Sequence, residues 1–186
     1  MVVGMTHQVY AFEPPERFVA GTVGPPGERT FFLQARGGGR LVSVVLEKVQ
    51  VTLLAEKLEE LLAEAHRRFG VDVPEVPTSA DDDNEPLDLP LDEEFRVGTL
   101  GLAWDGDTDT VVIEAIAVGE YESDEPTEEE LADLDRMRVR LTPAATRAFI
   151  ARAKRVVSAG RPPCPLCGQP LDPKGHLCPR HNGYRR

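Results

Sequence analysis

Three cysteines and a histidine near the C-terminal end are the residues whose types and spacing could do chemistry. All three cysteines of the 186-residue chain lie in its last 25 residues. Cys164-Pro-Leu-Cys167 is followed ten residues later by Cys178-Pro-Arg-His181. Two short turns that each present two ligands are typical of a tetrahedral zinc site. We therefore predict a structural Zn²⁺ ion held by Cys164, Cys167, Cys178 and His181, with Gly168 allowing the tight bend of the first turn.

Other interpretations of these residues are weaker. His176 lies two residues before Cys178 and competes with His181, which we favour because its spacing mirrors that of the first cysteine pair. An odd number of cysteines argues against a disulfide framework. A redox pair would place Cys164 and Cys167 at the start of a helix, whereas the four prolines between residues 162 and 170 predict a loop.

The composition of the chain indicates the class of protein to which this site belongs. Hydrophobic residues make up 41% of the chain, and no run approaches the roughly 18 apolar residues of a membrane span. The start at Met1 lacks the basic and apolar regions of a secretory signal. We therefore expect a cytoplasmic protein that does not contact a membrane.

Charge is distributed very unevenly along the chain. Residues 1–135 hold 9 Lys and Arg against 31 Asp and Glu, a balance of −22. Residues 136–186 hold 12 basic residues against one acidic residue, Asp172, a balance of +11. Two surfaces with different partners, or two regions that attract each other within one fold, would both produce this pattern.

The N-terminal region reads as short strands separated by turns. Residues 8–12, 17–24, 30–36 and 41–46 are rich in β-branched and aromatic side chains, and clusters of Gly and Pro separate them. This pattern predicts an antiparallel meander.

A helix follows, from an N-cap at Thr52 to a stop at Gly70. Leucines recur at helical spacing and charged residues occupy the opposite face. The next segment, residues 71–94, is rich in proline and carboxylates, and we interpret it as a flexible loop or linker.

The second half contains a hairpin, a strand and another helix. The hairpin pairs residues 95–104 with 110–118, an acidic loop with a short helix spans 120–135, and a strand covers 137–141. Thr142 and Pro143 are an N-cap and a first helical residue. The helix after them ends at Gly160, and its predicted buried side chains are Phe149, Ile150, Ala153, Val156 and Val157.

These elements predict an α+β fold with a largely antiparallel sheet, two main helices and a small C-terminal zinc ribbon. We expect residues 1–160 to form the body, with flexible acidic loops at about 71–94 and 120–135. Residues 161–186 would form the zinc-ribbon-like tail.

Two glycine- or aspartate-rich stretches could bind ligands but are better explained as turns. Asp105-Gly-Asp107-Thr-Asp109 resembles the start of a calcium loop, yet it lacks the required glycine and glutamate and fits a hairpin turn. Gly37-Gly-Gly39-Arg40 could cradle a phosphate, but a strand follows instead of a helix, which favours a hairpin tip.

The other acidic residues and His66 are interpreted as solvated or structural rather than catalytic. The runs 81–83 and 128–130 are interpreted as solvated. Glu114 interrupts an apolar strand and lies either on a solvated face or beside a buried partner. His66 lies in the last turn of the first helix, where a charge–dipole role is the default. No catalytic residues and no organic cofactor are predicted, because nothing in the sequence places an acid–base pair or a nucleophile together.

The basic C-terminal region is the remaining candidate for a binding surface. Zinc modules with clustered basic residues can hold phosphate backbones, but Tyr184 is the one aromatic residue of the tail available for base stacking. A basic helix packed on the acidic body is the alternative. The basic residues concerned are Arg147, Arg152, Lys154, Arg155, Lys174, Arg180, Arg185 and Arg186.

Three segments of the chain, residues 9–23, 29–35 and 164–186, carry a resemblance to a known family. They read VYAFEPPERFVAGTV, RTFFLQA and the cysteine-bearing ending. The chain resembles, over its whole length, an uncharacterised actinobacterial family of unknown function with a C-terminal Cys3His motif. The resemblance implies a cytoplasmic actinobacterial protein and no particular activity.

Two classes of function follow as hypotheses. The first is a non-catalytic zinc-containing binding or regulatory protein that docks to a protein partner, with nucleic acid as the less favoured partner. The second is an enzyme with a pocket on the sheet face. A cavity holding two or more ionisable groups with shifted pKa values would favour the enzyme. The oligomeric state is not predicted.

Overall fold

The elements of the fold are visible in a computed structural model that describes residues 6–75, 77, 82–121, 123–160, 164–168, 171 and 178. In chain order they are β1 (Val9–Phe12), β2 (Arg17–Val23), β3 (Thr30–Gly37), β4 (Arg40–Leu46), α1 (Lys48–Phe69), β5 (Glu93–Asp105), β6 (Thr110–Ala117), α2 (Glu128–Ala132), β7 (Arg136–Leu141) and α3 (Pro143–Ser158). The seven strands form one sheet in the spatial order β1-β7-β6-β5-β4-β3-β2.

The sheet is mixed, so the prediction of a largely antiparallel sheet with two main helices is wrong, although the fold is α+β. β4 pairs with β5 in parallel, and β1 pairs with β7 in parallel. α1 joins β4 to β5 and returns the chain in the same direction, as a parallel crossover must. The described residues also contain a third helix, the short α2.

The two tightest connections are the predicted hairpin turns. Gly38 and Gly39 between β3 and β4 have φ angles of 59° and 74°, a left-handed pair that suits a two-residue hairpin loop. Between β5 and β6, the Asp107 N–H donates to the Asp105 carboxylate at 2.9 Å, and Asp109 has a φ of 51°. Both stretches are therefore turns, as predicted.

The first helix begins four residues before the predicted N-cap. Its N-cap is Glu47, whose N–H donates to the Gln50 side chain at 2.7 Å while its own side chain accepts the Gln50 N–H. This reciprocal pair caps the helix as a Ser or Thr would. Thr52 lies inside the first turns, where its hydroxyl donates to the Lys48 carbonyl at 3.0 Å.

Two other predicted helix ends are confirmed, whereas α3 ends at Ser158, two residues before the predicted stop at Gly160. Gly70 ends α1 in the left-handed conformation, with a φ of 65°, which is the usual role of glycine after a helix. Thr142 caps α3 by accepting the Ala145 N–H at 3.1 Å, and Pro143 is the first helical residue.

The core lies between the sheet and the two long helices. α1 and α3 pack against each other and against one face of the sheet. The predicted apolar faces are buried at Leu58 in α1 and at Phe149 and Ile150 in α3. Phe69, the last residue of α1, is 60% exposed. No helix of the described residues has the length and apolar character needed to cross a membrane.

A chain truncated after Gly160 is expected to keep a cooperative thermal transition. The described core contains Leu58, Leu62, Phe149 and Ile150 together with the sheet, and all of these residues precede Gly160. The melting profile of the truncated chain, compared with that of the full chain, measures this. An insoluble or non-cooperative product would show that the last 26 residues contribute to the core.

Candidate metal centre

The first cysteine pair lies in a tight turn. Residues 165–167 form the turn, and the Gly168 N–H donates to the Cys164 carbonyl at 2.8 Å. Gly168 has a φ of 74°, a conformation that favours glycine. The predicted role of Gly168 in the bend is therefore confirmed, and both cysteine side chains of the pair belong to one compact loop.

The three cysteines converge on one point. The Sγ atoms of Cys164 and Cys178 are 3.9 Å apart, and the three sulfur atoms all lie within 4.8 Å of one another. A zinc ion bound tetrahedrally with Zn–S bonds of about 2.3 Å places its sulfur ligands about 3.8 Å apart. A disulfide would require about 2.05 Å, and none of the three cysteines forms one. These three residues could hold a metal ion.

Backbone amides surround the first sulfur atom of the site. Hydrogen bonds from the backbone of Cys167 and Leu166 lower the pKa of the Cys164 thiol to about 6. The thiolate is the form of cysteine that binds metal. Cys164 and Cys178 are each only 6% exposed, so the cluster is shielded from water.

The fourth predicted ligand and its competitor cannot be placed beside these sulfurs. His181 and His176 both lie outside the described residues. The Cys3His set therefore stays a prediction beyond its three cysteines.

A second cluster of charged side chains lies in the body, at the sheet edge formed by β2. Residues 82–90, which we call the acidic strap, run past β2 before β5 begins. Arg17 of β2 donates from Nε and Nη2 to the Asp83 carboxylate at 2.6 and 2.9 Å, and from Nη1 to Asp88 at 3.1 Å. The strap is thus bound to the sheet by charge-assisted hydrogen bonds.

Arg152 of α3 holds the strap from the other side. Its Nε donates to the Ala20 carbonyl at 2.9 Å, and its Nη1 donates to the Asp83 carboxylate, the Asp83 carbonyl and the Glu85 carbonyl at 2.8–3.0 Å. Arg152 is only 7% exposed. A charge this deeply buried requires a partner, and the strap supplies it.

The strap continues across the sheet face that is opposite the helices. Gln34 and Ser43, 2% and 1% exposed, hydrogen-bond each other at 3.0 Å, and Gln34 exchanges two hydrogen bonds with the backbone of Asp88. Leu87 packs directly over Gly21, where a Cβ atom would approach its side chain to 2.5 Å. Glycine at position 21 therefore makes room for the strap.

Three groups in this cluster have shifted pKa values. The hydrogen bond from Arg17 lowers the pKa of Asp83, and the same bond raises the pKa of Arg17. Burial lowers the pKa of Arg152. The cluster therefore contains at least two ionisable groups with shifted pKa values, the number that was expected to favour an enzyme. The shifts of Asp83 and Arg17 stabilise their charged forms, however, so these groups act as fixed charges rather than as proton donors or acceptors near neutral pH.

One comparison with known proteins identifies the family to which the chain belongs. A family model described as a protein of unknown function (DUF3090) matches residues 10–178 of the chain. The chain belongs to the DUF3090 family. No curated protein and no solved structure matches it significantly. The match ends at Cys178, so it includes all three cysteines of the candidate metal centre in this DUF3090 protein.

The weaker sequence candidates of the DUF3090 chain have structural explanations. Glu114 on β6 accepts hydrogen bonds from Arg136 and Arg138 of β7 at 3.0 Å each, so its partners are cross-strand arginines. His66 hydrogen-bonds the Val71 carbonyl through Nδ1 at 2.8 Å. Among the described residues, the side-chain partners of Glu114 are the two arginines and that of His66 is a backbone carbonyl.

The two acidic runs differ from each other. In the run 128–130, Glu130 belongs to the capping box of α2, whose N-cap is Thr127. In the run 81–83, Asp82 is exposed but Asp83 is bound to two arginines. The interpretation of Asp83 as a solvated residue is therefore wrong. Asp81 lies outside the described residues.

The basic side chains of α3 pair with acidic residues of the body. Arg147 and Lys154 lie 3.4 and 2.6 Å from the Glu59 carboxylate of α1, and Arg155 lies 3.0 Å from that of Asp82. Along α3 the structure thus favours the basic helix packed on an acidic body. The other basic residues of the tail, Lys174, Arg180, Arg185 and Arg186, lie outside the described part.

Sequence reasoning missed the Arg17–Arg152–Asp83 cluster. One signal was available: Arg152 lies three residues after the buried Phe149 and next to the buried Ala153, within the apolar face of α3. A charged residue at such a position indicates a buried ion pair. Its partner could not be found from sequence, because Asp83 is 69 residues away.

Proposed function

We propose that this DUF3090 protein is a non-catalytic, zinc-containing binding protein whose C-terminal zinc ribbon docks to a protein partner. The observation that carries the proposal is the convergence of three cysteine Sγ atoms at distances that suit a tetrahedral ion. Thiolates completed by an imidazole favour zinc among common metals. With His181 as fourth ligand the ion is fully enclosed, which is typical of a structural site.

We assign the ribbon to residues 161–186 and the body to residues 1–160. Such a ribbon is too small to build a hydrophobic core, so the metal would provide its stability. Cysteines that form no disulfide suit a reducing compartment, which supports a cytoplasmic location. The resemblance to an actinobacterial family supports an origin in that group.

A protein partner is favoured over nucleic acid because the basic residues of α3 are already paired. Arg147, Arg152, Lys154 and Arg155 each contact a carboxylate of the body. A nucleic acid would have to displace those carboxylates, and the excess of acidic residues in the body would repel its phosphates.

The zinc-loaded full chain is expected to capture a protein from cells that naturally produce it. A matched Cys164→Ser and Cys167→Ser double variant is expected to lose that partner, because its ribbon has no metal. Purified partner and purified chain should then form a complex by calorimetry that depends on zinc. A partner retained equally by both chains would contradict docking through the ribbon.

Nucleic-acid binding by the same zinc-loaded chain is expected to be negligible at physiological salt. Micromolar or tighter binding to DNA or RNA at about 0.15 M salt, weakening steeply as salt rises, would contradict the protein-docking proposal. In that case the affinity for nucleic acid should depend less steeply on salt after removal of Lys174, Arg180, Arg185 and Arg186.

An enzyme remains the second candidate function. The observation that favours it is a cavity of about 530 Å³ beside Arg17 and Arg152. Among its described lining residues there is no histidine or cysteine, and the shifted groups are fixed ion pairs. The cavity therefore suits binding better than proton transfer or nucleophilic attack.

A further inference from the structure

The cavity at the strap has the size and lining of a small-molecule site. It lies between the start of β2, the strap and α3, with a volume of about 530 Å³, within the usual range of ligand pockets. Apolar side chains of β2, β7 and α3 line part of it, and its charged lining residues are Glu16, Arg17, Asp82, Asp83, Glu85 and Arg152. None of these groups belongs to the metal centre.

Arg152 has one hydrogen-bonding nitrogen to spare. Its Nε and Nη1 donate to Ala20 and to the strap, as described above. Its Nη2 makes no hydrogen bond within the described part of the chain, although the residue is only 7% exposed. Nη2 is not among the fully buried unsatisfied side-chain atoms of the described residues, so it is accessible to solvent, and a ligand carboxylate is the group that would accept from it best.

Two carboxylates at the same cavity have no partner. The side chains of Glu16 and Glu85 form no ion pair or hydrogen bond with any described residue, in contrast to Asp82 and Asp83, which are paired with arginines. Glu85 is held close to Arg152, since its backbone carbonyl accepts from Nη1 at 2.8 Å. Unpaired acidic groups around a single free N–H would repel a polyanion such as a phosphate ester, and they would attract an ammonium group.

The remaining wall is apolar and rigid. The rings of Phe18 and Phe149 stack with centroids 4.6 Å apart, and Leu141, Ala145 and Ala148 line the cavity next to them. An apolar group of a ligand would be desolvated against this wall.

We propose that this cavity binds a zwitterionic α-amino acid with an apolar side chain. The ligand carboxylate accepts from Arg152 Nη2, the ammonium group lies near Glu16 and Glu85, and the side chain packs towards Phe18 and Phe149. The site is independent of the proposed zinc ribbon, so either proposal can fail without the other.

The test uses the full chain and three related probes in calorimetric titrations. L-phenylalanine carries both charges, 3-phenylpropanoate lacks only the ammonium group and phenethylamine lacks only the carboxylate. L-phenylalanine is expected to bind saturably. Each of the other two probes is expected to bind about tenfold or more weakly, because each loses a charge-assisted interaction.

Two variants locate the site without touching the buried arginine. Ala148→Leu should fill the cavity and weaken L-phenylalanine binding by about tenfold or more, while Ala144→Leu, on the same helix but outside the lining, should not. Glu85→Gln, at an exposed position, should reduce the difference in affinity between L-phenylalanine and 3-phenylpropanoate. Circular dichroism melts verify that each variant is folded.

Three results would overturn the proposal. The first is absence of saturable L-phenylalanine binding to the folded chain. The second is equal affinity for L-phenylalanine and 3-phenylpropanoate, which would remove the role of the glutamates. The third is an equal loss of binding in Ala148→Leu and Ala144→Leu, which would place any binding elsewhere.

Discussion

Replacement of Cys164 by serine is expected to reduce bound zinc from one ion per chain to nearly none. Cys164 is one of three converging thiolates and is almost fully buried. Apparent binding free energies of structural zinc in small modules are about 10–16 kcal/mol, and metal and fold are lost together. Because the core side chains belong to the body, its melting temperature should change little.

The measurement is elemental analysis of protein purified without chelators, combined with the thermal melt. Leu166→Ala is the matched control, because Leu166 lies in the same turn but is 52% exposed; it should retain its zinc. Less than about a third of a zinc ion per wild-type chain, with no iron in its place, would contradict the zinc assignment. Full zinc occupancy in Cys164→Ser would show that this thiolate is not a ligand.

Replacement of Arg152 by methionine is expected to lower the free energy of unfolding by about 1–3 kcal/mol, the usual loss when hydrogen-bond acceptors in a buried site lose their donor. The substitution removes the donors to the Ala20, Asp83 and Glu85 carbonyls and to the Asp83 carboxylate. The Asp83 carboxylate keeps its hydrogen bonds from Arg17, so no charge is left without a partner. Chemical denaturation of both chains measures the difference.

Lys154→Met on the same helix is the control for this prediction. Lys154 is paired with Glu59, but its side chain is 50% exposed, and an exposed pair contributes about 1 kcal/mol or less. Equal losses in the two variants would show that the strap contacts do not contribute specially to stability.

The same ion pairs predict how stability depends on pH. The hydrogen bond from Arg17 lowers the pKa of Asp83 in the folded state. The unfolded chain therefore binds more protons in the acid range, and stability rises with pH there. The contribution of Asp83 is fully present above its unfolded pKa of about 3.9 and is lost as pH falls through the lower folded value. In the Asp83→Asn variant, the free energy of unfolding should therefore vary less with pH in this range.

Local features of this protein followed from the sequence because they depend on neighbouring residues. The spacing of Cys164, Cys167 and Cys178 places ligands on short turns, and these sulfurs do converge. Gly38 and Gly39 form the predicted hairpin turn, and Thr142 caps α3 as expected. Each feature involves residues no more than 14 positions apart, so the local backbone conformation is its main determinant.

Helix ends were predictable only where one residue dominates. Gly70 ends α1 because glycine adopts the left-handed conformation without strain. The beginning of α1 was placed too late, because the cap is a Glu47–Gln50 pair rather than a single Ser or Thr. Two reciprocal side-chain bonds compensate for a cap residue of low preference, and composition does not reveal them.

Only the tertiary structure decided the strand order and the buried ion pairs. β1 pairs in parallel with β7, with Val9 opposite Arg136. This pairing depends on how the whole sheet packs against α1 and α3. Arg152 meets Asp83 in the same way, from elements that are distant in sequence. The sequence identifies such residues as charged but does not identify their partners. Burial determines which of those charges must be paired, and burial exists only once the chain has folded.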